Sequence, residues 1–137
     1  MLQVPQYDPI QFGEAALKLR AYRQELISSN LVNADTPGFR AKDIQFGDVL
    51  KNTLNGNASA PGVALATTNA RHIGGVQAPA ITTEFRSSVQ PALDGNTVDP
   101  DVERSEFMKN SFFTEATLNF LGANIKTHIS AITGQAQ

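Results

Sequence analysis

Two Asp-Pro pairs, at positions 8–9 and 99–100, each open a long run of helical periodicity, and they limit the possible folds more than any other feature. An aspartate before a helix accepts hydrogen bonds from its free N–H groups, and proline suits the first helical position because it has no N–H to leave unpaired. We predict a first helix over residues 9–33 and a second over residues 100–133, ended by Gly134. At 1.5 Å per residue these helices are roughly 37 and 50 Å long.

Apolar residues recur every three or four positions in both helices, which places them along one face of each. We predict a seam in which residues of the second helix, from Leu118 to Ile132, pack on the first helix. The apolar face of the second helix is wider than one partner helix can cover, so part of it is expected to pack on other chains. A small self-contained bundle is the alternative, and the pattern alone does not separate the two. The residues predicted to pack or to form an interface are Phe12, Leu19, Leu26, Phe107, Phe113, Leu118, Phe120, Leu121, Ile125 and Ile132.

The first helix is followed by residues that cannot continue it. Pro37 has no N–H and disfavours helical backbone at Thr36, and Pro-Gly is typical of a type II turn with Gly38 at positive φ. We expect the side chains of Asn30 and Asn33 to satisfy carbonyls left open at the end of the helix. The residues predicted to fix this exit are Asn30, Asn33, Asp35, Thr36, Pro37, Gly38 and Phe39.

The middle of the chain, residues 47–94, is rich in Gly, Ala, Ser, Thr and Asn and has few charges. We expect it to be flexible and to add little core, with short strands near residues 81–85 or 87–89. The predicted fold is therefore mostly α: two long terminal helices packed as a coiled-coil-like hairpin. Residues 1–46 and 95–137 would form one discontinuous helical core domain.

Composition excludes several kinds of protein. The chain has no cysteine, which rules out disulfides and thiolate metal sites, and its net charge of −2 does not favour nucleic-acid binding. Neither of the two histidines has a second histidine or a carboxylate cluster at ligand spacing. No apolar run reaches the roughly 18–20 residues of a membrane span, and the first residues are unlike a Sec-type signal peptide. We predict no enzyme activity, no metal and no cofactor.

The stretch SNLVNADTPGFR, residues 29–40, resembles the N-terminal signature of flagellar rod, hook and hook-associated proteins, an Asn-x-x-Asn run followed by Thr-Pro-Gly-aromatic-basic. Within that group, residues 19–25, 41–46, 94–99 and 117–121 are similar to the flagellar basal body rod protein family, and most similar to its proximal rod member. A sibling short rod protein, FlgC-like, is the alternative. Its last helix usually carries a Tyr-Gln-Ala-Asn type motif, which is absent here.

The resemblance implies a structural subunit of the proximal rod, which assembles helically with other rod proteins into the hollow drive shaft of the flagellum. It implies export through the flagellar type III apparatus without a cleaved signal peptide, and a place on the periplasmic side of the basal body. The implied partners are further copies of the chain, FlgC-like and FlgF-like rod subunits, the adaptor FliE, and the export gate within the MS ring. Rival readings are a cytoplasmic secretion chaperone and a wall hydrolase. The latter needs a catalytic acid pair on a cleft-forming domain, for which the chain has no room.

Overall fold

The computed structural model describes residues 8–55, 81–87 and 93–134. Within these ranges the chain forms, in order, α1 (Pro9–Val32), β1 (Lys42–Asp43), α2 (Phe46–Leu54), β2 (Glu84–Phe85) and α3 (Pro100–Thr133). The predicted mostly α fold is confirmed, since the two long terminal helices α1 and α3 pack on each other. None of the helices in the described ranges has the length and apolarity to cross a membrane.

Both long helices begin at the predicted aspartates. The carboxylate of Asp8 accepts a hydrogen bond from the Ile10 N–H at 2.9 Å. The carboxylate of Asp99 accepts from the N–H groups of Asp101 at 3.0 Å and Val102 at 3.3 Å. Gly134 ends α3 with a φ of 66°, the left-handed conformation that glycine adopts at helix ends. These caps fix where each helix starts and therefore how far the two overlap.

The helices α1 and α3 run antiparallel and are unequal in length. Asn30 contacts Glu103 near one end of the pair, with 3.2 Å between Nδ2 and Oε2, whereas Gly13 lies against Leu121 near the other. The helix α3 has 34 residues and α1 has 24. Because α1 starts at Pro9, four positions before Gly13, its first residue lies beside a point about four residues beyond Leu121. Residues 125–134, which we name the α3 overhang, therefore extend past the start of α1.

The core lies where α1 meets α2 and the segment that carries β1. Its buried members are Ala16, Leu19, Ile44 and Leu50. The helix α2 is not predicted by the sequence reasoning, which assigned this region to a middle segment that adds little core. Its apolar positions do follow helical spacing, but nine residues do not form a stable helix alone. Packing on α1 stabilises it, and this contact is visible only in the folded chain.

The strands β1 and β2 form an antiparallel pair with Lys42 opposite Phe85 and Asp43 opposite Glu84. The pair extends by one further hydrogen bond, from the Arg86 N–H to the Ala41 carbonyl at 2.8 Å. The strand predicted near 81–85 is thus present, whereas most of the one predicted at 87–89 falls outside the described residues. The pairing brings Arg86 next to α1 and α3.

Candidate assembly interface

The exit from α1 has the geometry that its sequence predicts. Gly38 has a φ of 72°, and the Phe39 N–H donates to the Thr36 carbonyl at 3.2 Å, which closes the turn. The Asn33 side-chain amide donates to the Ser29 carbonyl at 2.8 Å, which also accepts from the Asn33 backbone N–H at 3.2 Å. The backbone at Gly38 is therefore strained for any residue with a side chain.

Asn30 has a different role from the one we expected. Only 1% of it is exposed, and its amide donates to the Lys42 carbonyl at 2.9 Å and to Glu103 at 3.2 Å. Its Oδ1 accepts from the Lys42 N–H at 3.0 Å. This side chain therefore takes the place of a neighbouring strand for β1 and satisfies no carbonyl at the end of α1. The expectation was wrong because the chain folds back alongside α1 after the turn and brings Lys42 within reach.

Three carbonyls at the end of α1 and in the turn after it are bound instead by Asn96, which sequence reasoning missed. Asn96 is 5% exposed. Its amide donates to the carbonyls of Asn33 at 3.2 Å, Ala34 at 2.6 Å and Thr36 at 3.0 Å. Its Oδ1 accepts from the Val98 N–H at 2.8 Å. One side chain, far along the sequence, thus holds the whole turn.

The backbone around Asn96 also pairs with the turn. The Gly38 N–H donates to the Asp94 carbonyl at 2.9 Å, and the Thr97 N–H donates to the Phe39 carbonyl at 3.0 Å. The Thr97 hydroxyl accepts from the Ala41 N–H at 2.8 Å. We name residues 94–98 the strap, because they fasten the exit of α1 to the start of α3.

Below the turn, five charged side chains from four segments form a continuous ion-pair network. Arg23 on α1 joins Asp43, at 2.8 Å, to Glu106 on α3, at 2.9 Å. Arg86, after β2, joins the same Asp43 to Glu103 at 2.6 Å. Each guanidinium therefore bridges two carboxylates. The described residues contain no group of His, Cys, Asp or Glu that could hold a metal ion.

Burial and pairing shift the pKa values of these acids in opposite directions. Burial alone would raise the pKa of Asp43, but hydrogen bonds from Arg23, Arg86 and the Ile44 N–H outweigh it and lower that pKa to about 2. Burial raises the pKa of Glu103, against the Asn30 hydrogen bond and the charge of Arg86. The network holds three carboxylates and two guanidiniums. Glu103, only 1% exposed, therefore protonates more readily than Asp43.

The guanidinium of Arg20 links α2 to the outer side of the hairpin. It lies 4.4 Å from the ring centre of Phe46 and 4.9 Å from that of Phe113. A cation between two aromatic faces is attracted to both. Phe113 is still 42% exposed, so this contact leaves much of its ring uncovered.

The predicted interface residues divide into two sets. Leu19 is buried, and Leu26, Phe107 and Leu121 are half-buried within the fold. The others are exposed, from 40% at Ile125 to 84% at Ile132; they are Phe12, Phe113, Leu118, Phe120, Ile125 and Ile132. The seam within the chain is therefore shorter than the apolar face of α3. Ile125, predicted to pack on α1, is 40% exposed and lies beside the start of that helix. Ile132, also predicted to pack there, is 84% exposed because it lies beyond the point on α3 where α1 begins.

Beside the end of this seam lies an open apolar groove of about 420 Å³. Its walls are formed by α1 and α3 and consist of Pro9, Phe12 and Gly13 from α1 and Phe113, Ala116, Thr117, Phe120, Leu121 and Asn124 from α3. The groove and the α3 overhang together present an uncovered apolar surface of a kind that monomers rarely expose. A helical hairpin with such a surface defines a class of protein, the helical assembly subunit.

Comparison with known proteins identifies the family. The family model described as flagella basal body rod protein matches residues 10–40, which are α1 and the turn after it. The chain is 48% identical to the flagellar basal body rod protein FlgB of Yersinia enterocolitica over 126 residues, 90% of this chain and 92% of that protein. It is 42% identical to FlgB of Salmonella typhimurium over 91% of this chain and 93% of that protein. The chain belongs to the flagellar basal body rod protein family, whose members are structural proteins.

Proposed function

We propose that the chain is a structural subunit of the proximal rod, which assembles helically with other rod proteins into the hollow drive shaft of the flagellum. The observation that carries this proposal is the uncovered apolar face of α3. Six of its large apolar side chains, among them Phe112, Phe120 and Ile132, are more than half exposed. Burying such side chains stabilises by about 1.5–3 kcal/mol each, which favours association with other chains. The likeness to FlgB proteins supports the particular place in the rod.

The partners and the route belong to the same proposal. They are further copies of the chain, FlgC-like and FlgF-like rod subunits, the adaptor FliE, and the export gate within the MS ring. The chain would reach the periplasmic side through the flagellar type III apparatus without cleavage of a signal peptide. We propose no catalytic role, because Asp43, Glu103 and Glu106 are all engaged in ion pairs with arginines.

Within this function the residues have two roles. The turn after α1, held by the strap, sets the direction in which the chain leaves the helix. The exposed residues of α3 and Phe12 supply the contacts between subunits. We propose that residues 1–46 and 95–137 form the core that packs in the rod. From residues 47–94, α2 also packs on this core through Leu50.

The test is deletion of the gene in its native host, with motility and secretion of hook subunits scored together. We expect loss of motility and absence of rods and hooks, both restored by the wild-type gene supplied on a plasmid. A matched pair of plasmids carries Phe120→Asp, on the exposed face of α3, and Ser105→Asp, exposed but outside the groove. Only the first should fail to restore motility at equal protein level. Normal rods in the deletion strain would refute the proposed function.

A further inference from the structure

The α3 overhang carries an apolar stripe that stays exposed in the described part of the chain. Ile125, Ile129 and Ile132 are 40%, 54% and 84% exposed. Their i, i+4, i+7 spacing is that of the anchors by which a helix binds in an apolar groove. The stripe continues the row of Leu121, which packs on Gly13 inside the chain. It is therefore the continuation of the α1–α3 interface beyond the point where α1 begins.

The groove described above is a matching acceptor. Phe12 is 43% exposed and Phe120 is 74% exposed, and both lie on its walls. Gly13 has no side chain to fill the groove, and a Cβ at this position would lie 3.0 Å from Leu121 Cδ1. A groove of about 420 Å³ has room for a few aliphatic side chains, and no large side chain of the described fold fills it.

The charges on the two surfaces are complementary. Lys126 is exposed, and it is the one formally charged side chain between residues 116 and 134. The groove wall from α1 is flanked by the exposed acids Asp8 and Glu14. Glu14 is paired with Lys18, but both side chains are more than half exposed, so this pair holds its carboxylate weakly. A basic overhang would therefore approach an acidic rim.

We propose that the α3 overhang of one copy of the chain docks in the groove of a second copy. The inference rests on the proposed function, because it names which surfaces of two rod subunits meet. Donor and acceptor are different surfaces on the same chain, so the contact is heterologous and each copy can bind one neighbour on either side. Such a contact extends an open array rather than closing a dimer.

The natural absence of cysteine allows a direct test by cross-linking. The variant carries Ala116→Cys in the groove and Ile129→Cys in the overhang, in an otherwise wild-type chain. These positions are roughly 20 Å apart along α3, too far for a disulfide within one chain. Oxidation of basal bodies isolated from the native host should give a ladder of dimers, trimers and higher species. The control is Ser105→Cys with Ile129→Cys, because Ser105 lies outside the groove, and it should give no ladder.

A second pair of variants separates docking from folding. The first variant, Ile129→Asp, places a negative charge in the apolar stripe. The control, Thr127→Asp, places the same charge at an exposed neighbouring position of the overhang. In an Ala116→Cys, Ile132→Cys background, Ile129→Asp should weaken the ladder roughly tenfold or more, since a carboxylate would enter an apolar groove. Thr127→Asp should leave the ladder unchanged. Circular dichroism of both variants should match the wild-type chain, because neither side chain packs in the core.

A ladder in the first variant together with loss through Ile129→Asp supports the contact. Assembled rods without any ladder would overturn it and leave the proposed function intact. Closed dimers alone, or cross-links only to a different rod protein, would overturn it as well. Absence of the chain from basal bodies would overturn the proposed function and the contact together.

Discussion

Replacing Asp43 by Asn tests whether charge holds the ion-pair network together. Asp43 receives hydrogen bonds from both Arg23 and Arg86, and its pKa falls from 3.8 to about 2. A carboxylate whose pKa is lowered by folding stabilises the fold above its unfolded pKa, and that contribution disappears as pH falls through its folded pKa. At 1.36 kcal/mol per pKa unit, the contribution at neutral pH is about 2 kcal/mol. The side chain is 18% exposed, so solvent screening reduces this value little.

The decrease in the free energy of unfolding caused by Asp43→Asn should be close to this value and no larger. Both arginines keep a second partner, Glu106 for Arg23 and Glu103 for Arg86. Neither guanidinium is left buried and unpaired. Breaking a buried ion pair costs about 3–5 kcal/mol because it leaves such an uncompensated charge. We therefore expect Asp43→Asn to lower the free energy of unfolding by about 2 kcal/mol at pH 7.

The assay is urea denaturation followed by far-UV circular dichroism at a series of pH values. The difference between wild type and Asp43→Asn should be constant above pH 5, shrink between about pH 4 and pH 2, and vanish below. Asp101→Asn is the matched control, because that carboxylate is 92% exposed in a pair with Arg104 and should change nothing measurable. A difference that stays constant down to pH 2 would refute the reasoning, since the loss would then come from packing rather than charge.

Three further perturbations follow from the same contacts. Glu103→Gln should show the opposite pH dependence in urea melts. Because burial raises the pKa of Glu103, the free energy of unfolding of the wild type, relative to this variant, should rise as pH falls from 7 towards 4.5. A relative free energy of unfolding that falls over this range would contradict the prediction. Asn96→Asp replaces the amide that donates to three carbonyls by an anion. In the same urea melts it should lower the free energy of unfolding by about 1–3 kcal/mol at pH 7 and by less at pH 3. A loss that does not depend on pH would contradict this prediction. Gly38→Val places a β-branched residue at a φ of 72° and should lower the free energy of unfolding by about 1–3 kcal/mol, with swimming reduced more than the protein level on immunoblots. Gly47→Val, at a glycine without positive φ where a Cβ would meet nothing within 4 Å, should swim normally. Normal swimming of Gly38→Val would contradict the role of the turn.

The ends of the helices could be predicted because their signals are local. Asp8 and Asp99 cap the helices that directly follow them, and Gly38 and Gly134 adopt positive φ where the sequence calls for it. In each case the residue and the backbone groups that it serves lie within a few positions. Such contacts depend on sequence spacing alone, so the pattern contains all the information that is needed.

The contacts that fasten these elements to one another could not be predicted. Arg86 and Glu103 are 17 positions apart, Arg23 and Asp43 are 20 apart, and Asn96 lies 60 positions from Thr36. Nothing in the residues themselves selects one partner among the many charges and amides of the chain. The same holds for the length of the seam, because it depends on how α3 slides along α1. That register places Ile132 in solvent although its spacing fits the seam.

The strap also determines when the chain can acquire its native shape. Asn96 must reach carbonyls 60 to 63 positions earlier, and Asn110 on α3 binds the carbonyl of Arg20, 90 positions earlier. A ribosome adds about 5–20 residues per second, so α1 emerges several seconds before the residues that hold its exit. During synthesis α1 therefore emerges before α3 is available to pack on it. The helical hairpin can form only once the last third of the chain has been made. A chain built this way folds late and as a whole, which keeps its apolar helix faces apart from their native partners until translation is nearly complete.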